Sequence, residues 1–134
     1  MADDAAARPG AEWLAVVTQA TIADFARAFT IEPVLEASVL TAPIAGVPAI
    51  HAFFQATRSM YDRIAFTRED RSDLRTYLEW EGEYRARRVT GVTILTTAAS
   101  GAIEHIRLFH LPFDQVVAFS SDLCQRLGPP APPA

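Results

Sequence analysis

Few side chains in this sequence can exchange protons near neutrality. There are three histidines, His51, His105 and His110. An imidazole has an ordinary pKa of about 6.5 and serves as acid or base at physiological pH. His105 and His110 fall in Ile103–Leu111, an alternating run that reads as a strand ended by Pro112. Strand parity puts Ile106, Leu108 and His110 on one face, and His105, Arg107 and Phe109 on the other. His51 sits in a helical pattern on a polar stripe with Gln55, Arg58 and Asp62, and is expected in solvent. Tyr61, Tyr84 and Thr41 supply hydroxyls able to position a substrate oxygen.

Other chemistries find no support. Cys124 is the single cysteine, which rules out an intramolecular disulfide and argues against a thiolate metal site. No histidine and carboxylate spacing suggests a metal, so neither metal nor cofactor is expected. There is no glycine-rich phosphate loop, and no nucleophile motif surrounds a serine or Cys124. The net charge is −4, with twelve arginines and no lysine. An acidic balance argues against a nucleic-acid partner, which needs concentrated positive charge. The cluster Arg85, Arg87, Arg88 reads as a solvated strand end. Met1–Gly10 lacks the apolar core of a signal peptide, and no apolar run reaches the length of a membrane span. A cytoplasmic location, away from membranes, is expected.

The elements that must position these groups follow from periodicity. Residues 1–10 and the proline-rich tail 128–134 are expected to be flexible around one domain, 11–127. Glu12–Ala20 and Ala23–Phe29 read as helices, burying Trp13, Val16 and Val17, and then Phe25, Ala28 and Phe29. Leu35–Thr41 reads as the first strand. Pro48–Tyr61 reads as a helix with Pro48 in its first turn, where its missing N–H would have no partner anyway. Ile64 and Phe66 begin a further alternating strand, followed by a charged loop at Glu69–Asp73. In the segment TYLEWEGEYRA, Leu78, Trp80 and Tyr84 face one way and Glu79, Glu81 and Glu83 the other. Val89–Thr97 is β-branched on both faces, as in a covered strand. Pro112–Leu127 has helical spacing with Gly128 as its stop, and a strand at Val116–Phe119 is the alternative. The fold class is α+β, with helices packed on one face of a curved antiparallel sheet.

Three segments carry a family resemblance. Ser38–Phe54 (SVLTAPIAGVPAIHAFF) resembles a strand–proline–glycine–helix signature, within which Ala42–Gly46 is the loop. Ala23–Phe25 resembles a helix–turn carrying an aspartate, here Asp24. Gly101–Phe109 (GAIEHIRLF) resembles a glycine-led last hairpin strand. In order and spacing these are similar to the SnoaL-like, or nuclear transport factor 2-like, superfamily from about Glu12 to Leu111. The resemblance implies a cone, cystatin-like in fold, in which a bent sheet wraps a long helix around an apolar pocket. The family includes ketosteroid isomerase, limonene-epoxide hydrolase and non-catalytic binding domains, so fold does not give function.

Residue by residue, the enzymes' chemistry is missing. The isomerase base falls at Thr41, its oxyanion-hole tyrosine near Ala20, a supporting tyrosine at Phe54, and its second acid near Thr93 or Leu95. None of these is an acid or a tyrosine. Arg107 and Glu104, tempting as an epoxide hydrolase pair, point to opposite faces of their strand. The resemblance does place Ile106, Leu108 and His110 inside the cone, with Leu78 and Trp80. His110 is then the one inward ionisable group on its strand and the candidate catalytic residue. The competing role is a strand-end histidine bonded to backbone or to the last helix. Phe54, Tyr61, Trp80, Leu78, Tyr84, Thr41, Ile106 and Leu108 are the expected ligand-binding residues. The ligand expected is small and apolar or aromatic. Three functions stay open: a binding protein; a lyase, isomerase or cyclase acting on a small carbonyl compound through His110; and an interaction domain whose cone is filled by its own side chains. On the outer sheet face, Glu79, Glu81 and Glu83 are expected to meet His105, Arg107, Arg85 and Arg87. Together with Val92, Ile94 and Phe109 they suggest a homodimer packed sheet against sheet.

Overall fold

The computed structural model describes residues 8–128, and the terminal segments expected to be flexible lie largely outside that range. The chain runs α1 (Ala11–Val17), α2 (Ile22–Ala26), β1 (Phe29–Ala37), β2 (Ile44–Ala45), α3 (Val47–Met60), β3 (Arg63–Ser72), β4 (Arg75–Tyr84), β5 (Arg87–Thr97), β6 (Ile103–Leu111) and α4 (Phe113–Leu127). The six strands form one sheet in the order β2-β1-β6-β5-β4-β3. Pairing is antiparallel except between β1 and β6, which run parallel. The class is α+β as expected, with the sheet mixed rather than wholly antiparallel.

The parities of β4, β5 and β6 send Leu78, Trp80, Tyr84, Val89, Leu95, Ile106 and Leu108 to the buried face. There they meet the apolar stripe of α3 (Ile50, Phe53, Phe54 and Met60) and Phe119 and Leu123 of α4, all buried. Burying each of these large side chains stabilises the fold by roughly 1.5–3 kcal/mol. The last segment is helical throughout, which settles the choice left open at Val116–Phe119.

Four expectations need correction. The first strand starts at Phe29, a residue that helical periodicity places in the second helix, and ends at Ala37. Pro33 hides it: proline cannot donate to a ladder, and the β1–β6 register shifts between Phe29 and Val34. Thr41 therefore falls beyond the strand and is exposed in loop 38–43. The charged run Glu69–Asp73 is mostly strand. It pairs with β4 down to Ser72, because its charges sit on exposed positions, or half-buried at Glu69, of an edge strand that accepts them. His51 is buried rather than solvated. Its Nε2–H donates to the Gln19 carbonyl at 3.1 Å, and its ring packs 4.9 Å from that of Phe25. Finally, the outer-face charges pair differently. His105 and Arg107 reach Glu36 of β1, at 3.1 and 3.7 Å, while Arg85 and Arg87 turn to Asp122 and Asp114 of α4. Of the β4 glutamates, Glu81 and Glu83 lie near Arg88 and Arg63.

Candidate functional site

One row across the sheet builds the site. Phe66, Trp80, Gly91 and His110 stand side by side on β3, β4, β5 and β6. Gly91 is the residue that lets the row close. A Cβ there would stand 2.1 Å from Trp80 Cζ2 and 2.3 Å from the Phe109 carbonyl oxygen, so the indole lies across bare backbone. This delivers Trp80 edge-on to His110, with ring centroids 5.0 Å apart and planes at 76°. Tyr61, the residue that caps the end of α3, lies nearly parallel to the imidazole at 6.0 Å and 7°, with its ring also 5.8 Å from the indole. Phe119 of α4 adds a third aromatic wall 4.9 Å from the imidazole.

The protonation state follows from this enclosure. Burial disfavours the imidazolium and lowers His110 to about 4. Burial likewise pushes the Tyr61 phenol well above its ordinary value. Both groups are neutral at pH 7. The Tyr61 hydroxyl lies 2.5 Å from His110 Nε2. The Tyr61 O–H has no other acceptor among the described residues, so the tautomer that satisfies it has Tyr61 donating and Nε2 accepting, with the ring proton on Nδ1. Nδ1 is buried with no hydrogen-bond partner among the described residues, and so is Trp80 Nε1. They are the two unsatisfied buried side-chain polar atoms there, and both are N–H donors. The His110 backbone N–H, by contrast, is satisfied, donating to Ser38 Oγ at 2.9 Å.

Beside this pair lies an apolar chamber of about 60 Å³, lined by Trp80, Tyr61, Phe54, Leu108 and Thr93, with Trp13 and Val17 of α1 closing it. Arg58 is the one charged residue in its wall; it is exposed and donates to the Val17 carbonyl. A wider cavity, about 430 Å³, opens further along the same concave face. Its floor is Leu78, Leu95 and Ile103, and Trp13 is again a wall. Among the described residues, no group of three histidines, cysteines or carboxylates is placed to hold a metal. No helix there is long and apolar enough to cross a membrane.

The residues expected to bind a ligand thus divide. Phe54, Tyr61, Trp80 and Leu108 come together around the smaller chamber, against His110. Leu78 belongs to the wider cavity, and Ile106 is fully buried. Tyr84 points elsewhere: its hydroxyl donates to Asp122 Oδ2 and lies near the Ala118 carbonyl, tying β4 to α4. Thr41 is remote. The structure adds Trp13, Val17, Thr57 and Thr93 to the walls. Trp13 and Val17 were legible as the apolar stripe of the first helix, which must face something. Nothing in the sequence said that it faced a cavity.

No protein-family model matches this chain, and no curated protein matches its sequence. Solved structures do match. The chain is similar to a steroid delta-isomerase from Pseudomonas aeruginosa, at 19% identity and TM-score 0.78 over 95% of this chain and 93% of that one. It is similar to an NTF-2 like protein of unknown function from Burkholderia xenovorans, at 15% identity and TM-score 0.62 over 78% and 80%. It is also similar to a SnoaL-like protein from Agrobacterium tumefaciens, at 15% identity and TM-score 0.56 over 75% and 92%. At these identities the likeness establishes the fold.

Proposed function

Starting from the SnoaL-like, nuclear transport factor 2-like fold of this chain, we propose that the protein binds a small, neutral, apolar molecule carrying a carbonyl oxygen. The observation that carries this reading is an unpaired buried donor, Trp80 Nε1–H, on a residue of the chamber wall, with His110 Nδ1 equally unpaired on the ring packed against it. A buried donor left unpaired costs roughly 1–3 kcal/mol, so a guest that supplies an acceptor is favoured there. Neither His110 nor Tyr61 carries charge at pH 7, which suits a carbonyl and disfavours a carboxylate or an amine.

The same geometry favours binding over acid–base catalysis. The Nε2 lone pair of His110 is taken by Tyr61, and Nδ1 carries the proton, so the imidazole has no free lone pair to act as base. Among the described residues, no carboxylate lines the chamber to take that part. The neutral imidazole donates a hydrogen bond, which polarises a carbonyl without transferring a proton. The test is nuclear magnetic resonance of the ¹⁵N-labelled protein titrated with 2-butanone at pH 7. The Trp80 indole and His110 ring N–H signals are expected to move downfield together, and Trp80→Phe is expected to weaken binding about tenfold, one hydrogen bond's worth. Saturating ketone that leaves both signals in place would overturn the reading.

A further inference from the structure

The inner chamber is too small for the guest that the rest of the concave face has room for. At about 60 Å³ it is well below the roughly 150 Å³ of a dry cavity that holds benzene. That size suits the end of a chain better than a ring. The 430 Å³ cavity is its neighbour on the same surface. The inner chamber touches Trp80, Thr93 and Leu108, while the outer one touches Leu78, Leu95 and Ile103, further along the same three strands. One inward step along a strand covers two residues, about 7 Å.

A single side chain, Trp13, is a principal wall of both. It is 4% exposed, wedged edge-on between Phe54 (5.3 Å) and Phe29 (6.4 Å). Its helix, α1, has only seven residues and no side-chain cap at its N-terminus. Polar ties hold that end to β3. Glu69 accepts from the Gly10 N–H at 2.9 Å and from Arg71 at 3.1 Å, and Arg71 also reaches Glu12 at 2.7 Å. These ion pairs are solvent-exposed at Arg71 and Glu12, a setting in which a pair contributes less than about 1 kcal/mol. The partition between the chambers therefore hangs on a short helix held by its buried Trp13 and Val17 and, at its N-terminal end, by weak polar ties. Arg71 is neutralised between two carboxylates, so the outer mouth offers no free cation to a charged chain end.

We propose that the two chambers form one ligand channel for an elongated, neutral, aliphatic carbonyl compound. Its carbonyl end lies in the inner chamber, and its alkyl chain runs past Trp13 into the outer one. This rests on the reading of the His110–Trp80 end as a carbonyl site and adds the substrate class: a straight-chain ketone or aldehyde rather than a ring system.

The test is calorimetric titration of the full chain at pH 7 with 2-butanone, 2-octanone, 2-undecanone and acetophenone. Affinity is expected to rise about fourfold for each methylene that enters the outer chamber. Acetophenone is expected to bind more weakly than 2-octanone. Ala28→Phe places a ring in the outer chamber and is expected to bring 2-octanone down to the affinity of 2-butanone; its thermal unfolding checks that the fold survives. If the wild-type protein binds the three alkanones with equal affinity, or prefers acetophenone, the channel is refuted while the carbonyl site stands. If it binds no ketone of any length, both fall together.

Discussion

His105 and His110 lie on the same strand, and the pleat sends them to opposite faces of the sheet. His105 is about one-third exposed beside Glu36, within a surface cluster that includes Arg107. His110 is 3% exposed inside an aromatic box, where Tyr61 holds one nitrogen and nothing described meets the other. The outer face is a collection of partly solvated pairs, each adjustable by water and salt. The inner face is a packed row in which one ring fixes the next. Residue type is the same in both places. What differs is whether water can compensate a change in charge or shape, and that is what gives a histidine a distinctive chemistry.

The contrast can be tested by substituting each face in turn. The largest effect is expected from Gly91→Ala, whose new methyl group must displace the Trp80 indole or the Phe109 carbonyl. We expect it to cost at least about 3 kcal/mol in urea denaturation, at the upper end for overpacking, and to separate Trp80 from His110. A cost no larger than that of an outer-face substitution would show that the row is not rigid.

Next is the response to acid. The unfolded chain protonates His110 below its ordinary 6.5, whereas the folded protein resists until about 4. The unfolded state then binds more protons, so stability falls as pH drops from 6.5 to 4, by up to about 3 kcal/mol, and no further below that. Asp114 and Asp122 are held below the ordinary carboxylate value of 3.8 by Arg87 and Arg126, so they lose their contribution only at lower pH. Urea midpoints measured between pH 4.5 and 7.5 should slope in the wild type and flatten in His110→Gln. An unchanged slope in the variant would assign the proton elsewhere.

The smallest effect is expected from Glu36→Ala on the outer face. It removes the partner of both His105 and Arg107 and should cost less than about 1 kcal/mol, shrinking further in salt.

Much of this contrast was legible in the sequence. The alternation in β4 and β6 assigned Leu78, Trp80, Leu108 and His110 to one face without any coordinates, and the stripe of α3 did the same for Phe53 and Phe54. The failures have physical reasons. Pro33 interrupts the pattern of β1, so periodicity reads the strand too late and includes Thr41, which lies in the exposed loop beyond it. His51 sits on a polar stripe, yet α2 and the Gln19 carbonyl cover it; periodicity counts polarity and cannot see a neighbouring segment arrive. Tyr84 has the right parity, but its hydroxyl answers to Asp122, a partner distant in sequence. Gly91 was the signal passed over. A glycine inside a β-branched strand marks a place where something large must lie across the backbone, here the indole that completes the site.

The chain has two tryptophans, Trp13 and Trp80, and both stand in the wall of the inner chamber. Its intrinsic fluorescence therefore originates at the candidate site. Any guest that enters, any swing of α1 and any protonation of His110 changes the surroundings of an emitter, and the native protein needs no dye to serve as its own optical sensor.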